Sequence, residues 1–122
     1  MKITYNRQFW INTDRLVRTS KIVIDRPRGS RHPRYPSFVY PINYGYLKNT
    51  KSRGDGHEID IWVGTGSGHK VEAVMCTVDM HKRDSEITLL YSCTKKEIAQ
   101  IYKIHNTSSM HGILIERGKK RK

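Results

Sequence analysis

Apolar residues in this chain come in short bursts, each cut off by glycine, proline or charge. Lys21-Ile22-Val23-Ile24-Asp25 is halted by Pro27 and Gly29, and Ile59-Asp60-Ile61-Trp62-Val63 by Gly64, Gly66 and Gly68. Bursts of that length suit strands rather than long helices. None approaches the roughly 20 apolar residues of a membrane-crossing helix. Further strands are predicted at residues 37–40, 70–78, 86–92 and 112–116. Residues 26–36, with three prolines and one glycine, read as a bent connection, 41–56 as mostly irregular, and 64–68 as a flexible hairpin.

Two helices bracket these strands. Phe9, Trp10, Thr13, Leu16 and Val17 share one face of a helix over residues 7–19. Thr94-Lys95-Lys96-Glu97 is a capping box that opens a second, with Ile98, Ile101 and Tyr102 as its buried stripe. Helices near each end of five or six short strands predict an α+β fold with a small barrel-like sheet. At 122 residues the chain fits one domain over 1–116, followed by a basic tail at 117–122.

Charge narrows the partners. Lys and Arg number 23 against 11 Asp and Glu, a net charge of +12. No acidic residue occurs between Arg26 and Gly54, where seven cations are interleaved with Tyr35, Tyr40, Tyr44 and Tyr46. Such a surface attracts polyanions: nucleic acid, nucleotides, polyphosphate or an acidic membrane surface. Two cysteines, Cys76 and Cys93, make neither a disulfide framework nor a four-cysteine zinc site. The N-terminal residues lack the apolar core of a secretory signal, so a cytoplasmic setting without membrane attachment is expected. His32, His69, His81, His105 and His111 lack metal-binding spacing and read as surface or loop residues. The sequence leaves the oligomeric state open, a homo-oligomer included.

Two stretches carry candidate chemistry. Tyr40-Pro41-Ile42-Asn43-Tyr44-Gly45-Tyr46 puts three phenolic hydroxyls beside the basic region. Gly54-Asp55-Gly56-His57-Glu58-Ile59-Asp60 sets two aspartates and a histidine within six residues. Oxygen donors of that kind suit a hard cation such as Mg²⁺.

In their order and spacing these stretches resemble the soluble inorganic pyrophosphatases over about residues 21–106. That family carries Tyr-Pro-x-Asn-Tyr-Gly-Tyr followed by Asp-Gly-Asp-Pro-x-Asp and a later Asp-rich loop. The resemblance implies a five-stranded OB-like β-barrel with flanking helices, a Mg²⁺-filled cleft, and hydrolysis of pyrophosphate by a metal-activated water. By the same resemblance Asp55, Asp60 and Asp84 hold metal, Asp25 supports the metal shell, and Arg28, Arg34, Tyr44 and Lys48 bind phosphate. His57 stands where the family has its middle aspartate, so His57 and Asp55 are the catalytic candidates. Glu58 replaces the motif's proline, Pro36 a glutamate, and His105 and Asn106 align with the family's Tyr-Lys pair. With fewer carboxylates than the family, the alternative is a catalytically degenerate barrel that binds nucleic acid or nucleotides in a basic groove.

Overall fold

Asn6 starts the first helix: its side chain accepts the Phe9 amide at 2.9 Å and satisfies one of the free N-terminal donors. A computed structural model describes residues 3, 5–53 and 56–118. Helix α1 spans Arg7–Arg18 and buries Trp10, Thr13 and Val17. Strands β1 (Ile22–Arg26), β2 (Asn43–Leu47), β3 (Ile59–Val63), β4 (Val71–Asp79) and β5 (Asp84–Tyr91) follow, then helix α2 (Lys95–Ile104) and strand β6 (Met110–Glu116). The Thr94 capping box forms as predicted, with Glu97 answering the Thr94 amide. Among the described residues no helix is long and apolar enough to cross a membrane.

The six strands make one sheet in the order β1-β2-β3-β5-β4-β6. Every pairing is antiparallel except β3 with β5. Alternate residues along a strand point to opposite faces, and each face carries its own core. Ile61, Val74 and Leu89 pack with Trp10 and Val17 of α1. Their neighbours Trp62, Met75 and Leu90 pack with Ile101 of α2. One helix therefore covers each face.

The sheet is not closed into the expected barrel, since β1 and β6 lie at its two edges. Closure requires the edge strands to meet. Here both faces are roofed by helices, so neither can serve as the single interior of a small barrel. Edge strand β1 also carries a register break at Asp25, a device that blunts an edge.

Two further expectations change. The strand predicted at 37–40 shrinks to a single bridge, Arg31 to Val39, and β2 runs instead through the segment read as irregular. Asn43 and Gly45 look like turn residues, yet each serves the sheet. The Asn43 carboxamide oxygen accepts the Arg28 amide at 2.8 Å and ties down the turn after β1. A side chain at Gly45 would overlap the Val23 carbonyl of the neighbouring strand. Residues 64–68 are a crossover rather than a hairpin, because β4 is not the neighbour of β3. Thr65 bonds Glu97 through its amide (3.1 Å) and its hydroxyl (2.6 Å), and the Gly66 amide donates to the Ser92 carbonyl at 2.7 Å.

Arg117 is held rather than solvated. It forms a two-pronged ion pair with Asp14 (2.7 and 3.1 Å), donates to the Val71 carbonyl at 2.8 Å and lies 5.6 Å over the Trp10 ring. The last four residues of the basic tail lie outside the described residues.

His105, read as a surface histidine, is buried between the two halves of the α2 core. The Trp62 indole N–H donates to its Nε2 at 3.1 Å, and its Nδ1 sits 3.0 Å from the Thr77 hydroxyl. The ring is thereby neutral with its proton on Nδ1. Burial pushes its pKa down to about 4. The unfolded chain takes up this proton near pH 6.5, so folding stability falls as the pH drops from about 6.5 towards 4 and levels off below. Urea unfolding across that window is expected to lose about 3 kcal/mol from this residue. A His105→Gln variant, less stable at neutral pH, is expected to show a flatter acid limb.

Candidate active site

Helix α2 roofs only part of its face of the sheet. Over Trp62, Leu90, Ala73 and Met75 the core is dry and apolar. Towards the start of β3 and β5 the same face turns polar, with Tyr46 opposite Asp60 and Asp60 beside Thr88 in register. Glu86 lies two residues before Thr88, so it joins Asp60 on that face. A cleft of about 460 Å³ opens there, lined by Asp60, Asp84, Glu86, Glu58, His57, Ser52, Lys82 and Ile87.

Local structure delivers each group. The Thr50 hydroxyl donates to the Leu47 carbonyl at 2.7 Å and accepts the Ile59 amide at 3.1 Å. This pins the base of the β2–β3 loop. The Ser52 amide donates to the His57 carbonyl at 2.6 Å, and the Gly56 amide to the Ser52 carbonyl at 2.9 Å. Gly56 sits at φ 77°, a left-handed conformation that costs glycine nothing. On the other side, one Asp79 carboxylate oxygen accepts the His81 amide, the Lys82 amide and the Ser109 hydroxyl at 3.0, 3.2 and 2.8 Å. That fixes the β4–β5 turn from which Lys82 and Asp84 project.

An aromatic wedge backs the cleft. Tyr44 packs 4.6 Å from Trp62 and 5.8 Å from Tyr40. Its pKa is held well above the ordinary tyrosine value by burial first, then by the charges of Asp60 and Glu86, with its hydroxyl bonded to Asp60. Tyr40 is raised by burial, against the opposing pull of the Arg26 guanidinium, which also hydrogen-bonds it. His32, 6.3 Å from the Tyr40 ring, is lowered by burial and by the charges of Arg26, Lys82 and Arg34. Charges of both signs therefore reach this pair of tyrosines: Asp60 and Glu86 act on Tyr44, and Arg26, Asp25 and Asp60 on Tyr40.

Of the residues singled out from sequence, Asp60, Asp84 and His57 share this cleft, and Tyr44 touches it through Asp60. Asp55 lies outside the described residues. Asp25 is exposed at the break in β1, 3.9 Å from the Arg26 guanidinium. Arg34 stands close enough to act on His32. Arg28 and Lys48 are exposed at the turns that follow β1 and β2, held by their backbone amides to Asn43 and Lys21. Sequence reasoning passed over Glu58, Glu86, Lys82, Arg26 and Ser52. The spacing of Asp84 and Glu86, two apart on a strand, is the signal that marks Glu86 as facing the same way.

The donor chemistry fits Mg²⁺, which takes oxygen ligands and keeps several waters. The Thr88 hydroxyl, fully buried beside Asp60 in register, has no hydrogen-bond partner among the described residues. It is a further oxygen on that face in need of one. Among the described residues, however, no three His, Cys, Asp or Glu side chains are gathered tightly enough to hold a metal ion.

No family model matches the chain, and no curated protein matches it. Among solved structures it is similar to the crystal structure of an inorganic pyrophosphatase from Neisseria gonorrhoeae, at 22% identity and a TM-score of 0.51, over 74% of this chain and 77% of that one. At that identity the likeness is one of fold.

After burial, the Asp60 carboxylate is the next cause that keeps the Tyr44 phenol protonated. Asp60→Asn is therefore expected to lower the Tyr44 pKa, measured by NMR titration of its phenolic ring carbon. An unchanged titration would show that Asp60 does not act on Tyr44.

Proposed function

We propose that this protein hydrolyses inorganic pyrophosphate to phosphate with Mg²⁺, in the cytoplasm. The observation that carries the reading is the cleft in which Lys82 stands among Asp60, Asp84 and Glu86, beside the Tyr44–Tyr40 pair, on a fold similar to that of a pyrophosphatase. Pyrophosphate is a dense anion, and hydrolysing it requires positive charge at the phosphates together with a positioned water. Arg26, Lys82 and Arg34 supply the fixed charge, with Arg28 and Lys48 drawing the ligand in from the rim. Asp60 and Asp84 would hold Mg²⁺ largely through its retained waters, since no three such groups gather around one ion among the described residues, and Asp25 would support the outer shell. When bound, the ion lowers the pKa of water and offsets charge on the leaving phosphate. Tyr44 orients the Asp60 carboxylate through its hydroxyl. His57, at the mouth of the same cleft, orients the attacking water and accepts its proton; Asp55 adjoins it in sequence.

A second reading keeps the surface and drops the chemistry. A net charge of +12 and the exposed Tyr35 beside His32 (5.0 Å between rings) suit a binder of single-stranded nucleic acid.

Phosphate release from pyrophosphate separates the two. The native chain with Mg²⁺ is expected to turn over, and chelation to stop it. Asp60→Asn is expected to lower kcat by about a hundredfold or more, on the scale of losing one electrostatic group from a site. Lys82→Ala is expected to raise KM about tenfold. No release, combined with salt-sensitive oligonucleotide binding, would establish the second reading.

A further inference from the structure

A second concavity, about 860 Å³, lies on the opposite face of the sheet and meets the acidic cleft at Ser52, Glu86 and Ile87. Helix α1 stops short of this region. Cys76 pairs with Ile87 on one side and Ile113 on the other, and Val78 follows on the same face. These three hydrocarbon side chains remain 54%, 65% and 49% exposed for Ile87, Ile113 and Val78 respectively. Phe9 closes the α1 side, and Lys51 and Arg53 stand at the mouth next to Ser52. An apolar trough ending at two cations, and continuous with the cleft proposed above to take pyrophosphate, complements a ligand with a hydrocarbon body and an anionic head.

We infer that this trough seats the hydrocarbon part of a diphosphate monoester, whose phosphates reach past Lys51 and Arg53 to the acidic cleft. The inference deepens the hydrolase reading and rests on it for turnover, though not for binding. A hydrocarbon fits better than a nucleoside base. The floor of Ile87, Ile113 and Val78 with the Cys76 thiol is hydrocarbon and thiol, so a ligand body lying on it meets apolar surface, although Ser85 and His111 also line the concavity. In the reaction the water oxygen bonds to the terminal phosphorus as the bond to the bridging oxygen breaks. The bridging oxygen keeps the electron pair and stays with the ester. A phosphate monoester and inorganic phosphate leave, and one proton is released to solvent.

Cys76 on the trough floor is partly buried while Cys93 is buried, so N-ethylmaleimide labelling of Cys76, located by mass spectrometry, reports occupancy without needing turnover. With the full chain and Mg²⁺, geranyl diphosphate is expected to slow Cys76 labelling at least fivefold, and pyrophosphate or ADP to leave it unchanged. Ile113→Glu, at an exposed edge-strand position, is expected to abolish the protection and raise KM for geranyl diphosphate at least tenfold without altering pyrophosphate hydrolysis. Ile113→Ser is expected to fall between the two. Absence of protection by geranyl diphosphate overturns the inference, even where pyrophosphate is hydrolysed. Equal protection by ADP overturns it in favour of a base-binding site. A chain that sediments as a dimer with Cys76 already shielded, released to monomer by Ile113→Glu, overturns it in favour of a second copy. Protection without hydrolysis of either compound sustains the trough and sinks the hydrolase reading instead.

Discussion

The parallel pairing of β3 with β5 organises the molecule. It sets Asp60 beside Thr88 and Trp62 beside Leu90, so one short strand supplies a carboxylate to the cleft and an indole to the core. The residue between them, Ile61, serves the other core under α1. Parallel neighbours cannot be joined by a tight turn. The chain must leave β3, run β4 on the far side of β5, and return. That detour is why Glu97 is bonded to Thr65, and why the glycine-rich stretch after β3 is stapled to Ser92.

Much of this was legible because local chemistry and global fold agree. The capping box at Thr94, the α1 face through Trp10 and Val17, and the alternation of Ile59 to Val63 all do in the structure what their spacing implies. The failures share one cause: the residue's reason lay on another strand. Asn43 and Gly45 look like turn residues because what they answer, the Arg28 amide and the Val23 carbonyl, is more than a dozen residues away. The crossover was read as a hairpin because strand order is a long-range property. The barrel was suggested both by the run of short strands and by the family resemblance, and no residue pattern distinguishes a closed sheet from an open one roofed on both faces. His105 carried a signal that was passed over: it falls four residues after Ile101, on the same stripe that α2 buries.

The candidate site was half legible. Asp60 stood out with Asp55 and His57 as an acidic cluster in a basic chain, Asp84 came with the family resemblance, and the structure puts Asp60, Asp84 and His57 on one cleft. Lys82 and Arg26 were lost in the general excess of positive charge, since composition cannot say which of 23 cations face a given pair of tyrosines. Only the β4–β5 turn, fixed by Asp79, and the end of β1 decide that.

Arg117 and Asp14 are 103 positions apart, and their grip joins α1 to the end of the last strand. During synthesis on the ribosome the helix emerges 103 positions ahead of this docking partner. Trp10 must wait for Val71, Val74 and Leu89 to form its bed and for Arg117 to cover its ring. Until then the helix presents an unsatisfied apolar stripe to the cell, so locking α1 in place is expected to be a late event in the chain's maturation.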